Sequence, residues 1–462
     1  MPAPPLKKND VIEIEIDDLG YDGEGIAHVG SYAVFIRYAL PKERVRALVI
    51  AVKSTFAVAK LQSVLTPSSE RREPFCPVYY KCGGCSLQHA SYEFQLQFKR
   101  KAIADTFYKT AKLEVMPNEV IASPMTRAYR NKMSVPVRGE NAELGFFAVG
   151  SHRVVPIDEC PIQFEGNGEL ITAFREYLRE KGISGYNETT RTGTVKHLAV
   201  RKLKDIITVT AVINGHSAKE VKTFDDVLKK LYGDKYKYFA NFNKTDGNRI
   251  LGSESVLIGG SASFVELDGL RVDVHPQSFF QVNDGIREML YREVMAEIDT
   301  ESVVDAYSGA GLLSALLARA GHKVDAVEIE PKAVESAENM LKVNRIENVK
   351  THLGDCARVL PELTANKKDF TLILDPPRAG SDKAVLSAAA LSHPRKIVYV
   401  SCNPATLARD SRELLSLGYE ITRLQPFDMF PHSGNVETLA VFSHKKPDGH
   451  INVNIEFGEE EG

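Results

Sequence analysis

The chain has 462 residues, 43% of them hydrophobic and 26% charged, which is length and composition for about three packed domains. Its formal net charge of −3 excludes a strongly basic chain that coats nucleic acid nonspecifically, so any nucleic-acid contact must be local. No run reaches the roughly 18 apolar residues of a membrane span, and MPAPPLKKND at the start holds no apolar signal segment, so the expected compartment is the cytoplasm, with no membrane partner.

Residues 1–66 contain short alternating runs, VIEIEI, YAVFI, RVRALVIAV and FAVAKLQSVL, separated by glycine- and proline-containing turns. Their spacing predicts a small β-barrel. The turn DGEGIA at 22–27 resembles that of TRAM domains, RNA-binding barrels carried by RNA-modifying enzymes.

A stretch rich in proline, serine and charge, 66–77, leads into Cys76, Cys82 and Cys85 in a C-x5-C-x2-C arrangement, and Cys160 follows in ECPI. Six cysteines in a cytoplasmic chain argue against a disulfide framework. Four clustered thiolates suit zinc or an iron–sulfur cluster, and the spacing leaves both open. Residues 86–113 have a helical pattern, with Phe94, Phe98, Ala102 and Ile103 on one stripe. Between 95 and 138, nine Lys or Arg residues face three acids, a local excess suited to phosphates. Within it Arg127, Arg130 and Lys132, beside Tyr129, are the candidates for RNA contact. The whole of 67–273, with strand-like runs such as MSVPVRG and IITVTAVI and helical segments at 168–181 and 217–231, predicts an α+β domain with an antiparallel sheet.

From 274 to 445 strands and helices alternate. Strands are expected at 302–309, 322–330, 349–355, 370–375, 396–402, 419–428 and 437–444, with helices at 312–320 and 331–344 between the early ones, the pattern of a doubly wound sheet. The acidic tail, 446–462, is expected to be disordered. Gly309 and Gly311 follow the first strand in a tight turn that lets backbone N–H groups approach a ligand. Ser314 stands where a dinucleotide fold would place its third glycine. Asp305, Glu328 and Asp355 end or follow successive strands, and this placement of acids suits S-adenosylmethionine, with Asp305 toward the ammonium group, Glu328 toward the ribose and Asp355 toward the adenine. Three further strand ends deliver Asp375 and Arg378 (DPPR), Cys402 (SCNP) and Glu437. A sulfur nucleophile, two carboxylates and a guanidinium at neighbouring strand ends form a candidate reaction centre.

Together HPQSFFQVN (275–283), DAYSGAG (305–311), LDPPRAG (374–380), SCNP (401–404) and FPHSGNVET (430–438), preceded by the cysteine cluster and YRNK (129–132), resemble the RNA 5-methyluridine methyltransferases. Within them the chain is similar to the branch with a TRAM domain and an iron–sulfur cluster that acts on 23S ribosomal RNA. The resemblance implies an N-terminal TRAM (OB-like) β-barrel, a central α+β domain with a [4Fe–4S] cluster on Cys76, Cys82, Cys85 and Cys160, and a C-terminal Rossmann-like class I methyltransferase domain. It further implies Cys402 as nucleophile, Glu437 as base, Gln281, Tyr307, Glu328 and Asp375 around S-adenosylmethionine, and a monomer acting on a uridine flipped out of an RNA loop. Two positions depart from the family pattern: HSGN precedes Glu437, and Leu312 follows the glycine pair. The alternatives are the same reaction on tRNA and a noncatalytic RNA-binding chaperone. The latter predicts a missing nucleophile or base, yet both are present.

Overall fold

Alternation sets the first sheet. Along Arg44–Val52 the side chains of Val45, Ala47 and Val49 turn inward while their neighbours face water, and five of the six strands between residues 11 and 66 contribute to the same small core, the exception being Asp18–Leu19, whose Leu19 packs against Leu87, Phe98 and Ala102. A computed structural model describes residues 4–262 and 264–444, and in it these strands pair in the order first, fifth, sixth, fourth, third, second. The expected acidic tail lies outside the described residues.

The central sheet has seven strands: Lys132–Arg138, Glu143–Phe147, Val154–Pro156, Val195–Leu203, Ile206–Ile213, Tyr236–Phe242 and Glu254–Gly260. It is mixed, and this corrects the antiparallel expectation. Ile206–Ile213 and Tyr236–Phe242 run parallel, because the helix Asp225–Tyr232 is used as the crossover that parallel neighbours need. One face of the sheet packs with the helix Asn167–Glu180 into an apolar core.

The third sheet also has seven strands. Five parallel ones follow the order Val349–Leu353, Lys323–Glu328, Ser302–Ala306, Phe370–Leu374, Lys396–Ser401, and the antiparallel pair Glu437–His444 and Tyr419–Phe427 completes the edge. All seven lie within two or three residues of the expected bounds. The chain order reverses direction between Ser302–Ala306 and Phe370–Leu374, and ligands of such sheets bind outside the strand C-termini at this switch point.

The helix Tyr92–Ala111 belongs to this third layer. Its Ile103, Phe107 and Ala111 join the core formed by Leu407, Ala408 and Leu414. This changes the reading of the basic stretch. Lys99 is fully buried and its Nζ donates to Asp428 and, at 3.0 Å, to the carbonyl of Phe430. Arg100 pairs with Glu119, and Lys101 with Asp18 and Asp105 at 2.7 Å each. Three of the four cations on this helix, Lys99, Arg100 and Lys101, are therefore taken up by carboxylates and do not form an open phosphate track. Among the described residues no helix is long and apolar enough to cross a membrane.

Candidate active site

Four strand ends meet over a cleft of about 1170 Å³. Lys396–Ser401 is apolar throughout, and Asn403–Pro404 ends it: Asn403 caps the helix Pro404–Ser416, its side-chain oxygen accepting from Ala405 N at 3.0 Å, with proline in the first turn. Cys402 is thereby held half-buried at the junction, facing the cleft. The same Asn403 donates through Nδ2 to the carbonyl of Arg378 at 3.1 Å, fixing the DPPR turn beside the thiol. Asp375, at the end of Phe370–Leu374, and Glu437, at the start of Glu437–His444, line the same space.

The electrostatics follow from burial. Glu437 is only 3% exposed, and the loss of hydration, with the nearby Asp375, pushes its carboxyl well above the ordinary range. Asp375 is pushed up to about 7 by desolvation and by Asp305. A nucleophilic thiol is favoured by a lowered pKa. The structure places that of Cys402 higher than usual instead, because burial and the facing Glu437 outweigh the charge and hydrogen bond of Arg378. Burial therefore disfavours the charged forms of Cys402, Asp375 and Glu437 in the free protein, and a cation brought into the cleft would favour release of their protons.

At the cofactor end of the cleft stand Gln281, Tyr307, Gly309, Glu328 and Asp355. Gly309 has φ +57 and open space where a Cβ would project, the cradle a ligand requires. Glu328 accepts from Gly309 N at 2.9 Å and Glu330 N at 2.8 Å, which orients its carboxylate with lone pairs to spare. Asp355 caps the helix Cys356–Thr364 while exposed to the cleft. Two expected residues are not on the cleft wall. Asp305 is 2% exposed and accepts from Ser314 Oγ at 2.5 Å, so it stabilises the turn from behind instead of meeting an ammonium group. Gly311 packs against Ala337 at the start of Leu312–Arg319. An acid-lined pocket around an open glycine turn fits S-adenosylmethionine, whose ammonium and sulfonium groups are cationic.

Cys76, Cys82, Cys85 and Cys160 line one cavity of about 310 Å³. All four are free thiols, and burial raises Cys160 to about 11 and Cys85 to about 12. Among the described residues no three His, Cys, Asp or Glu side chains are gathered tightly enough to chelate a metal ion. Arg130, Arg378 and Phe430 form the wall between this cavity and the reaction cleft. Of the other RNA candidates, Arg127 lies over the ring of Phe75 at 4.1 Å, and Lys132 points to the open face of the central sheet.

Sequence reasoning passed over several residues that shape this site. Phe279 stands 62% exposed at the cleft lip, and its signal was an aromatic left outward in HPQSFF. Tyr399, Asp410 and Ser381 form a buried network, Tyr399 Oη donating to Asp410 at 2.6 Å and Ser381 N to Asp410 at 2.9 Å, which ties down the loop after DPPR.

Residues 268–446 match the family model described as tRNA (Uracil-5-)-methyltransferase, and residues 5–61 match the TRAM domain. An uncharacterized RNA methyltransferase of Halalkalibacterium halodurans is 37% identical over 96% of this chain and 98% of its own length. One from Clostridium acetobutylicum is 37% identical over 95% and 98%. Among solved structures, the Pyrococcus abyssi tRNA (uracil-54, C5)-methyltransferase in complex with S-adenosyl-L-homocysteine superposes with a TM-score of 0.76 at 27% identity, covering 93% of this chain and 99% of the other.

Proposed function

This chain belongs to the RNA methyltransferases that join a TRAM domain to a catalytic domain of the RNA uracil-5-methyltransferase family, and from that premise we propose that it methylates carbon 5 of specific uridines in 23S ribosomal RNA through a covalent adduct on Cys402. The observation that carries this reading is the meeting of Cys402, Glu437, Asp375 and Arg378 on one cleft with an open glycine turn.

Carbon 5 of uracil is a poor nucleophile. The thiolate of Cys402 adds to carbon 6, and the electron pair moves to carbon 5 and oxygen 4. S-adenosylmethionine, held by Gln281, Tyr307, Glu328 and Asp355, supplies the methyl group that carbon 5 then takes. Glu437 removes the remaining proton from carbon 5, the carbon–sulfur bond breaks, and the thiolate is restored. Burial suits Glu437 to this role, since a carboxylate with a raised pKa is a stronger base. Arg378 assists by stabilising the thiolate, and Asp375 bonds the uracil edge. The base must leave its stack to enter, so loops are favoured over duplexes.

The cluster belongs to the same reading. A sulfur-only donor set around a cavity wider than a single ion needs supports a [4Fe–4S] cluster on Cys76, Cys82, Cys85 and Cys160. Anaerobically purified protein should contain iron and sulfide, and zinc with neither would reverse the assignment. A second reading, the same chemistry on tRNA, is favoured by the Pyrococcus abyssi enzyme. Mapping 5-methyluridine in a deletion strain separates them, because marks lost from tRNA alone would replace ribosomal RNA as the substrate. For the mechanism, RNA containing 5-fluorouridine should trap a denaturation-stable adduct, since carbon 5 then carries no removable proton. The adduct should map to Cys402 and be absent from Cys402→Ala, and attachment at any other residue refutes the role given to this thiol.

A further inference from the structure

The central sheet has a second face, turned away from its apolar core, on which Lys132 and Arg201 form no ion pair with a carboxylate among the described residues. Lys132, Arg201 and Thr208 stand opposite one another on three neighbouring strands, and Ser134, Ala199 and Thr210 form the next row. The small side chain of Ala199 leaves room between the rows, and the result is a recess of about 80 Å³ under Ile250, Leu251 and Pro276.

Like charges directly opposite on paired strands destabilise a sheet, and no carboxylate lines the recess. Asp284, whose charge reaches Arg201 from outside it, already accepts from Asn131 at 3.0 Å and sits 3.7 Å from Arg287. Arg201 is fixed by donating to the carbonyls of Ser278 at 3.0 Å and Phe280 at 3.5 Å. The ammonium of Lys132 and the hydroxyls of Ser134, Thr208 and Thr210 have no hydrogen-bond partner among the described residues, although both threonines are 98% buried. Burial and the guanidiniums of Arg201 and Arg130 push Lys132 down to about 8, which is the state of a cation short of an anion.

We propose that this recess is a phosphate-binding subsite that holds one phosphodiester of the RNA beside the target uridine. It has the parts such a site needs: two cations, three hydroxyl donors and room for one tetrahedral oxyanion. Its position joins it to the reaction cleft. Arg201 is bonded to the carbonyl of Phe280, whose neighbour Gln281 lines the cleft, and Arg130 Nε, on the cleft wall, donates to the carbonyl of Lys132 at 3.2 Å. An RNA strand whose base enters the cleft therefore has its backbone directed across this face. The inference rests on the RNA-methylating reading.

The test is the affinity of the full-length protein for an RNA it methylates, measured across a salt series. Lys132→Gln should bind several-fold more weakly and lower the salt slope by about 0.7, the release of one counterion from a single strand. Lys132→Arg should keep the wild-type slope. The Thr208→Val/Thr210→Val variant, which retains both cations, should weaken binding with the slope unchanged and serves if Lys132→Gln does not fold. Affinity for S-adenosylhomocysteine should be the same in all. Identical affinities and slopes in wild type and variants would overturn the subsite while leaving the enzyme an RNA methyltransferase, whereas wild-type protein that binds no RNA would remove the reading beneath it. If inorganic phosphate raises the thermal midpoint of wild type but not of Lys132→Gln while the RNA slopes coincide, the recess takes a free anion and its assignment to RNA is wrong.

Discussion

The reacting groups are set by desolvation more than by charge. Cys402 has a raised thiol pKa because Glu437 and burial oppose Arg378. Alkylation of Cys402 by iodoacetamide in the free enzyme should therefore accelerate with pH well past neutrality. Arg378→Met, which removes the cation that favours thiolate, should move the curve to still higher pH, and an unchanged curve would show that Arg378 does not act on the sulfur. The carboxyls make the opposite kind of statement about stability. Asp375 titrates near 7 in the folded chain against about 3.8 ordinarily, and Glu437 lies well above 4.5. A carboxyl with a raised folded pKa binds more protons folded than unfolded, so its cost is absent below about pH 4 and grows as pH rises toward and through the folded value. Glu437→Gln keeps the shape of the protonated acid without that cost. It should match wild-type stability near pH 4 and exceed it above pH 7, as read from urea midpoints at the two pH values.

At the scale of elements, one asparagine links two of them. Asn403 caps Pro404–Ser416 with its oxygen and holds the DPPR turn with its nitrogen. Asn403→Asp keeps the cap and removes the donor, so the urea midpoint should stay near wild type while methylation slows. Asn403→Ala loses both, with about 1 kcal/mol of stability lost through the cap. Equal turnover by the aspartate variant and wild type would show that the nitrogen does not position Arg378. The contrast also shows what the sequence made legible. The strands leading to Asp375 and Cys402 stood out because continuous apolar runs stop at Asp-Pro or Asn-Pro, and parallel strands buried on both faces have that composition. The strand Tyr236–Phe242, YKYFANF, did not stand out. Its lysine pairs with Asp273 and its asparagine bonds the carbonyl of Gly252 at 3.1 Å, so polar residues that read as solvent-facing are buried by distant partners. Asp305 misled in the same way, since its placement at a strand end suggested a ligand while its buried carboxylate accepts from Ser314, nine residues on in the helix after the glycine turn.

Over the whole molecule, the loop that delivers Glu437 is held from every side, and none of those contacts is local in sequence. The N–H groups of Ser86 and Leu87, next to Cys85, donate to the carbonyl of His432 at 2.9 Å each. Gln95 accepts from His432 N at 2.9 Å, and Tyr129 Oη donates to the carbonyl of Pro431 at 3.1 Å. A Cβ on Gly434 would come within 2.5 Å of the carbonyl oxygen of Tyr21 in the barrel turn, so glycine there lets the first and third layers meet. At the root of the loop, Lys99 and Asp428 form the fully buried ion pair that joins the helix Tyr92–Ala111 to the third sheet, with Tyr92 Oη donating to the same carboxylate at 2.7 Å. Removing one member of such a pair leaves a charge without water or partner, which costs about 3–5 kcal/mol, whereas removing both charges together costs much less. Lys99→Met should lower the urea midpoint sharply and, by loosening the loop, reduce methylation more than S-adenosylhomocysteine binding, because Gln281, Tyr307, Glu328 and Asp355 sit on other segments. Adding Asp428→Asn, which keeps an acceptor for Tyr92 without the charge, should restore most of the stability. A double variant as unstable as Lys99→Met would show that the lysine contributes through packing, and that the barrel turn and the cysteine segment alone hold Glu437 over the cleft.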